Sequence, residues 1–222
     1  KTVKNKLLTF GIPHTKGEVL ELKRPTSKLK NEIRSVVFLA KNMGRRRWEF
    51  EDYKTYLQML ELVVDFCLER NIKLIIRLHP SGGRQLHSFY SNLEILDNPF
   101  ITISIKEPFS TVIVNNDLFI ATQEASVISE VLRYGKPLIF PVFHFSKPYL
   151  DNPLMVSLEK NLLSQRTIVE FSKVFKRLAT DHDYRISTVV KQNKFLPSLA
   201  KSFGKDTNEK IVDFCAREFG IS

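Results

Sequence analysis

The sequence predicts an α/β protein built on a doubly wound parallel sheet, and three observations carry that prediction. Between residues 35 and 141, short apolar runs alternate with stretches of helical periodicity. The runs are β-rich and mostly unbroken, as strands covered on both faces are. Each stops abruptly at Pro, Gly or a polar turn. Ile72–Leu78 shows the pattern best: Ile-Lys-Leu-Ile-Ile-Arg-Leu is followed by His79-Pro80-Ser81-Gly82-Gly83. Arg77 and His79 thus arrive at the carboxyl tip of a strand, the edge at which open α/β sheets bind ligands.

The elements follow in order. Lys6–Phe10 suits a short strand ended by Gly11-Ile12-Pro13, and the remainder of residues 1–34 reads as a charged connector. Ser35–Ala40 is a continuous apolar run, fit for a central strand. Glu51–Arg70 sets Tyr53, Tyr56, Leu57, Leu60, Val64, Cys67 and Leu68 at helical spacing. With the strand at 72–78 these make a right-handed βαβ crossover. Arg84–Leu93 reads as a short helix and Phe100–Ile105 as a half-buried strand. Pro108 suits the start of a helix reaching Asn115. Asp117–Ala121 is a strand, Thr122–Ser126 a polar turn, and Val127–Tyr134 a helix stopped by Gly135. Pro137–Pro141 reads as the last strand, with residues 142–164 irregular. A C-terminal helical extension, about 165–222, follows, with helices near 166–180, 183–195 and 207–219. Asp206 and Glu209 open the last of these in the manner of a capping box.

Composition narrows the class. The chain has 222 residues, 43% of them hydrophobic, enough for one sizeable core. It has neither an apolar run of transmembrane length nor a secretory signal. It opens on Lys1 instead of Met, as a fragment or a processed form would. Cys67 and Cys215 fall on apolar helix faces and read as core residues of a reduced, intracellular protein. No Cys/His cluster has metal-ligand spacing, so no structural metal is expected. The net charge of +10 suits a solvated basic surface, nucleic acid, an anionic membrane or a phosphate-bearing substrate.

The residues able to carry chemistry lie at strand ends. A lone His is commonly structural, but His79 leaves the same strand face as Arg77. A His donor and an Arg together suit a phosphate oxygen. Ser126 starts a helix directly after a strand, where free N–H groups and the dipole favour phosphate, and where Ser also serves as a plain N-cap. Glu130 sits one turn further on the same side, placed to accept from ribose hydroxyls or to face solvent. Gly44-Arg45-Arg46-Arg47 follows the first strand, so this basic run also lies at the ligand edge. The P-loop, the dinucleotide fingerprint and the Gly-x-Ser-x-Gly elbow are all missing from the sequence, which disfavours those chemistries. His87, His144 and His182 stand in no recognisable constellation.

The order of short motifs resembles the C-terminal, donor-binding domain of GT-B glycosyltransferases, a Rossmann-like half-molecule. The likeness is to capsule and teichoic-acid transferases, Kdo transferases and bacterial sialyltransferases. It rests on His79-Pro80 after a strand, on Ala125-Ser126 followed by Glu130, and on Gly135-Lys136-Pro137. It covers roughly residues 35–141. The chain departs from the teichoic-acid pattern at Gln123-Glu124-Ala125-Ser126, where Asp-Tyr-Ser-Ser is usual, and it lacks the Gly-Phe-Glu-like turn of the Kdo enzymes.

The resemblance implies that residues 35–222 bind a nucleotide sugar, with a CMP- or CDP-activated donor, in surface-polysaccharide synthesis (capsule, teichoic-acid or lipopolysaccharide type). It implies that His79 and Ser126 face the nucleotide phosphates and Glu130 the ribose; Gly44, Arg45, Pro80, Ser81 and Ala125 are expected to complete the nucleotide-binding site. His79 and Arg77 would stabilise charge on the departing phosphate. It implies no cofactor and no metal, a glycan or lipid-linked acceptor, and an N-terminal acceptor domain before residue 1 that supplies the base. Transfer of glycerol or ribitol phosphate is a variant of the same chemistry. The expected location is the cytoplasm, with an anionic inner membrane surface as a possible partner. Two alternatives stand beside this. One is a basic α/β nucleic-acid module, opposed by the spread of Lys and Arg along the chain and by the lack of a binding motif. The other is a nucleotide-sugar epimerase of the same architecture.

Overall fold

The computed structural model describes residues 29–40, 50–78, 88–122, 126–145, 150–151, 156, 158–160 and 162–195. The expected strand at 6–10, most of the connector, Cys215 and the helix at 207–219 lie outside the described residues. Six strands form one parallel sheet: β1 Ser35–Leu39, β2 Lys73–Arg77, β3 Ile101–Ser104, β4 Leu118–Ala121, β5 Leu138–Pro141 and β6 Leu163–Gln165. Their order across the sheet is β3-β2-β1-β4-β5-β6, the doubly wound arrangement. Among the described residues it is accompanied by the helices α1 Phe50–Glu69, α2 Phe109–Asn115, α3 Ser126–Arg133, α4 Ile168–Thr180 and α5 His182–Asn193. Of the short helix expected at 84–93, residues 88–91 are described and are helical, and a 3-10 turn at Glu94–Leu96 follows.

The period of two along each strand divides the core between two faces. Val36 and Phe38 of β1, Leu74 and Ile76 of β2, and Leu118 and Ile120 of β4 pack with Tyr56, Met59, Leu60, Val63 and Val64 of α1 and Phe171 and Phe175 of α4. Val37 and Leu39, Ile75, Phe119 and Ala121 pack on the other side with α2 and α3. β1, β4 and β5 are buried along their whole length, which explains their unbroken apolar sequences.

Two helices stop by the same device. Asn71 takes φ 52° after α1, and the amides of Asn71 and Ile72 bond Leu68 and Cys67 carbonyls. Gly135 takes φ 61° after α3, with the amides of Gly135 and Lys136 on Leu132 and Val131. Both are Schellman endings. The Lys136 ammonium also donates to the Val114 and Asn116 carbonyls at the end of α2. The Gly-Lys-Pro stretch therefore stops one helix and caps the last carbonyls of another.

One expectation is corrected: the strands do not end at Pro141. β6 runs parallel to β5 in the register Ile139↔Leu163, Phe140↔Ser164 and Pro141↔Gln165. With three residues, only one of them apolar, it has too little sequence to show a period. Beyond it, Thr167 accepts the Glu170 amide to open α4 and Asp181 accepts the Tyr184 amide to open α5. Buried Gln192 of α5 accepts from the Leu138 amide and donates to the Leu138 carbonyl, fastening this helix to the start of β5.

Candidate functional site

Parallel strands deliver their carboxyl ends to one edge. Here the register sets Ser104, Arg77, Leu39 and Ala121 side by side across β3, β2, β1 and β4. The direction of winding reverses between β1 and β4, so the crevice for a ligand opens beyond Leu39 and Ala121.

Arg77 is 8% exposed, and its Nη1 donates to Ser104 Oγ at 3.1 Å. Burial pulls the guanidinium below its ordinary pKa, against the opposing pull of the Glu107 carboxylate. Arginine remains charged under such a shift, so a cation is held at the carboxyl edge with its fork steadied by β3. Ser126 is the first residue of α3, in sequence four residues beyond Thr122, and Glu130 lies one turn along that helix, half-buried. The first turn of α3 thus follows β4, the strand that borders the crevice. The winding and the chain order bring Arg77 and α3 to one edge of the sheet. Gly44, Arg45, His79, Pro80, Ser81 and Ala125 lie outside the described residues, as does the side chain of Ser126.

The structure adds residues that sequence reasoning passed over. Thr122, fully buried, donates its hydroxyl to the Leu39 carbonyl at 2.7 Å, and its amide lies 3.4 Å from the same oxygen. His144, in the segment after β5, places Nε2 2.8 Å from the Thr122 carbonyl. A carbonyl only accepts, so this nitrogen carries the proton. The His144 ring meets Tyr56 of α1 edge-on at 6.0 Å and lies 4.2 Å from Phe145. The Tyr56 and Tyr90 hydroxyls bond one another, and burial holds the Tyr90 hydroxyl well above the usual phenol pKa. His144 follows an apolar strand by three residues, so the strand-end rule that singled out His79 also selects it.

The opposite edge is structural. Asp117, at the foot of β4, accepts from the Arg34 amide at 3.0 Å and the Ser35 hydroxyl at 3.2 Å, and pairs with Lys30 at 2.8 Å. Buried Arg185 donates to the Leu178 and Ala179 carbonyls at the end of α4 and to the Lys30 and Asn31 carbonyls. Together they lock residues 30–35 beneath the sheet. Among the described residues no group of His, Cys, Asp and Glu is arranged to hold a metal ion. Among them, too, no helix is long and apolar enough to cross a membrane.

No protein-family model and no curated protein sequence matches the chain. Its likeness is to solved structures. It superposes on TarM with a TM-score of 0.53 at 14% identity, covering 88% of this chain and 37% of that one. On a mutant of the Thermobaculum terrenum O-GlcNAc transferase the TM-score is 0.54 at 12% identity, covering 94% of this chain and 39% of that one. On a trehalose-6-phosphate synthase it is 0.54 at 14% identity, covering 90% and 49% respectively. These neighbours are GT-B glycosyltransferases. At such identities the likeness concerns the fold, and this chain spans less than half the length of each.

Proposed function

We propose that the chain is the donor-binding half of a GT-B glycosyltransferase of surface-polysaccharide synthesis and takes a CMP- or CDP-activated donor. The observation that carries this is the shared edge: a buried guanidinium at the end of β2 and the first turn of a helix that follows β4, on either side of the winding reversal. Fold alone does not give function, but an edge with a cation and a helix N-terminus suits a nucleoside diphosphate. The neighbours' fold agrees with that role.

In this reading the donor phosphates lie against the α3 amides and Ser126, with His79, Pro80, Ser81, Gly44, Arg45 and Ala125 around them. Glu130 accepts from the ribose hydroxyls. When the sugar bond breaks, negative charge grows on the departing phosphate. Arg77 and His79 are the groups that stabilise it, in a site whose dipoles are already aligned. Cytidine is preferred because the His79-Pro80 pair resembles that of cytidine-using transferases. The +10 charge draws the protein to an anionic membrane surface, an attraction that added salt screens. Calorimetric titration of the chain with CMP, CDP, UDP and ADP tests the donor class. Cytidine nucleotides are expected to bind most tightly, and equal or tighter binding of ADP would defeat the cytidine assignment.

A further inference from the structure

We infer that His144 is a positioning residue for donor binding, acting through Thr122 on the start of α3. The inference rests on the donor-site reading above. It is carried by a connected set of contacts at the carboxyl edge. The Leu39 carbonyl accepts from the Thr122 hydroxyl at 2.7 Å, joining the ends of β1 and β4. The Thr122 carbonyl in turn accepts from His144 Nε2 at 2.8 Å, joining β4 to the segment after β5. Thr122 and His144 are both 0% exposed, so neither bond competes with water. The imidazole is held in place by the Tyr56 ring on one element and by Phe143 and Phe145 beside it in the chain.

Thr122 stands at the end of β4, and α3 begins at Ser126. Holding both the hydroxyl and the carbonyl of Thr122 fixes the point from which the chain leaves β4 toward α3. Any anion bound by the first α3 amides is placed by that same point. His144 therefore touches no substrate; it sets the position of the groups that do. A phenylalanine fills similar space but cannot donate to the Thr122 carbonyl, whereas glutamine restores an N–H donor.

The test compares wild type, His144→Phe and His144→Gln as full chains, using amide hydrogen exchange without ligand and titration with CDP. His144→Phe is expected to speed exchange over residues 126–129 and to weaken CDP binding about ten-fold, the scale of one hydrogen bond. His144→Gln should recover most of both. Unchanged exchange at 126–129 in folded His144→Phe, or unchanged CDP affinity, would overturn the inference. If wild type binds no CDP, the donor reading fails on its own and the exchange comparison still decides the role of His144. If His144→Phe does not fold, Thr122→Val breaks the neighbouring bond in the same set. Faster exchange at 126–129 in that variant would support the inference, and wild-type exchange would overturn it.

Discussion

Thr122 and Leu39 are joined at the winding reversal of the sheet: the Thr122 hydroxyl donates to the Leu39 carbonyl at 2.7 Å. The two residues close the ends of β4 and β1, neighbouring strands that begin opposite halves of the fold. The bond is fully buried at Thr122, so removing the hydroxyl withdraws a donor that water cannot replace.

Thr122→Val should therefore lower the unfolding free energy by about 1–2 kcal/mol, the cost of leaving a buried acceptor poorly satisfied. Thr122→Ser should stay closer to wild type. Urea denaturation of the three proteins checks this, and equal midpoints for wild type and Thr122→Val would contradict it.

Acid should act at the start of α5. The Asp181 carboxylate is held below its ordinary pKa, chiefly by accepting the Tyr184 amide, with Arg177 assisting. A depressed folded value means the group stabilises above the unfolded carboxylate pKa. That contribution is lost as pH falls through the lower, folded value. Asp181→Asn keeps a capping oxygen without the charge. Wild type should exceed it in melting temperature at neutral pH, and the gap should shrink as pH falls below about 4. A gap that is constant from pH 7 to pH 3 would count against the charged cap.

The Cys67 thiol is pushed up to about 12 by burial alone. Only the thiolate is a nucleophile, so Cys67 should resist iodoacetamide at pH 8 in the folded protein and react after denaturation. Peptide mapping by mass spectrometry separates it from Cys215. Rapid alkylation of Cys67 in the native state would show that the α1 face opens. Stability should also decline as pH rises above the ordinary thiol value near 8.5, because the unfolded chain ionises there while the folded thiol stays protonated until about 12.

Most of the fold was legible because burial on both faces leaves plain marks. β1, β4 and β5 carry unbroken apolar runs, and α1 repeats its apolar residues every three or four positions. Gly135 announced the end of α3, and the φ of 61° is the reason a glycine stands there. β6 was hidden because Leu-Ser-Gln has no period to read, and its place comes from pairing with β5. Arg77 and the start of α3 were legible from strand-end logic. His144 stands after a strand as His79 does, but its bond to the carbonyl of Thr122, 22 positions earlier, was not legible. A contact across strand ends leaves no spacing signature in one sequence. The same holds for the Tyr56–Tyr90 pair and for Arg185, whose carbonyl partners Lys30 and Asn31 lie far upstream.

The most direct test of the donor-site claim is a titration of wild type and His79→Ala with CDP, CMP and free cytidine. If His79 grips the phosphates, His79→Ala should lose about 1.5–3 kcal/mol of CDP and CMP binding, the scale of a hydrogen bond to a charged group. Affinity for free cytidine should stay the same, and so should the melting temperature. Ser126→Ala should lose less, because the backbone amides of α3 remain as donors. Wild-type affinity of His79→Ala for CDP would contradict the account, and unfolding of that variant would make His79 a structural residue instead.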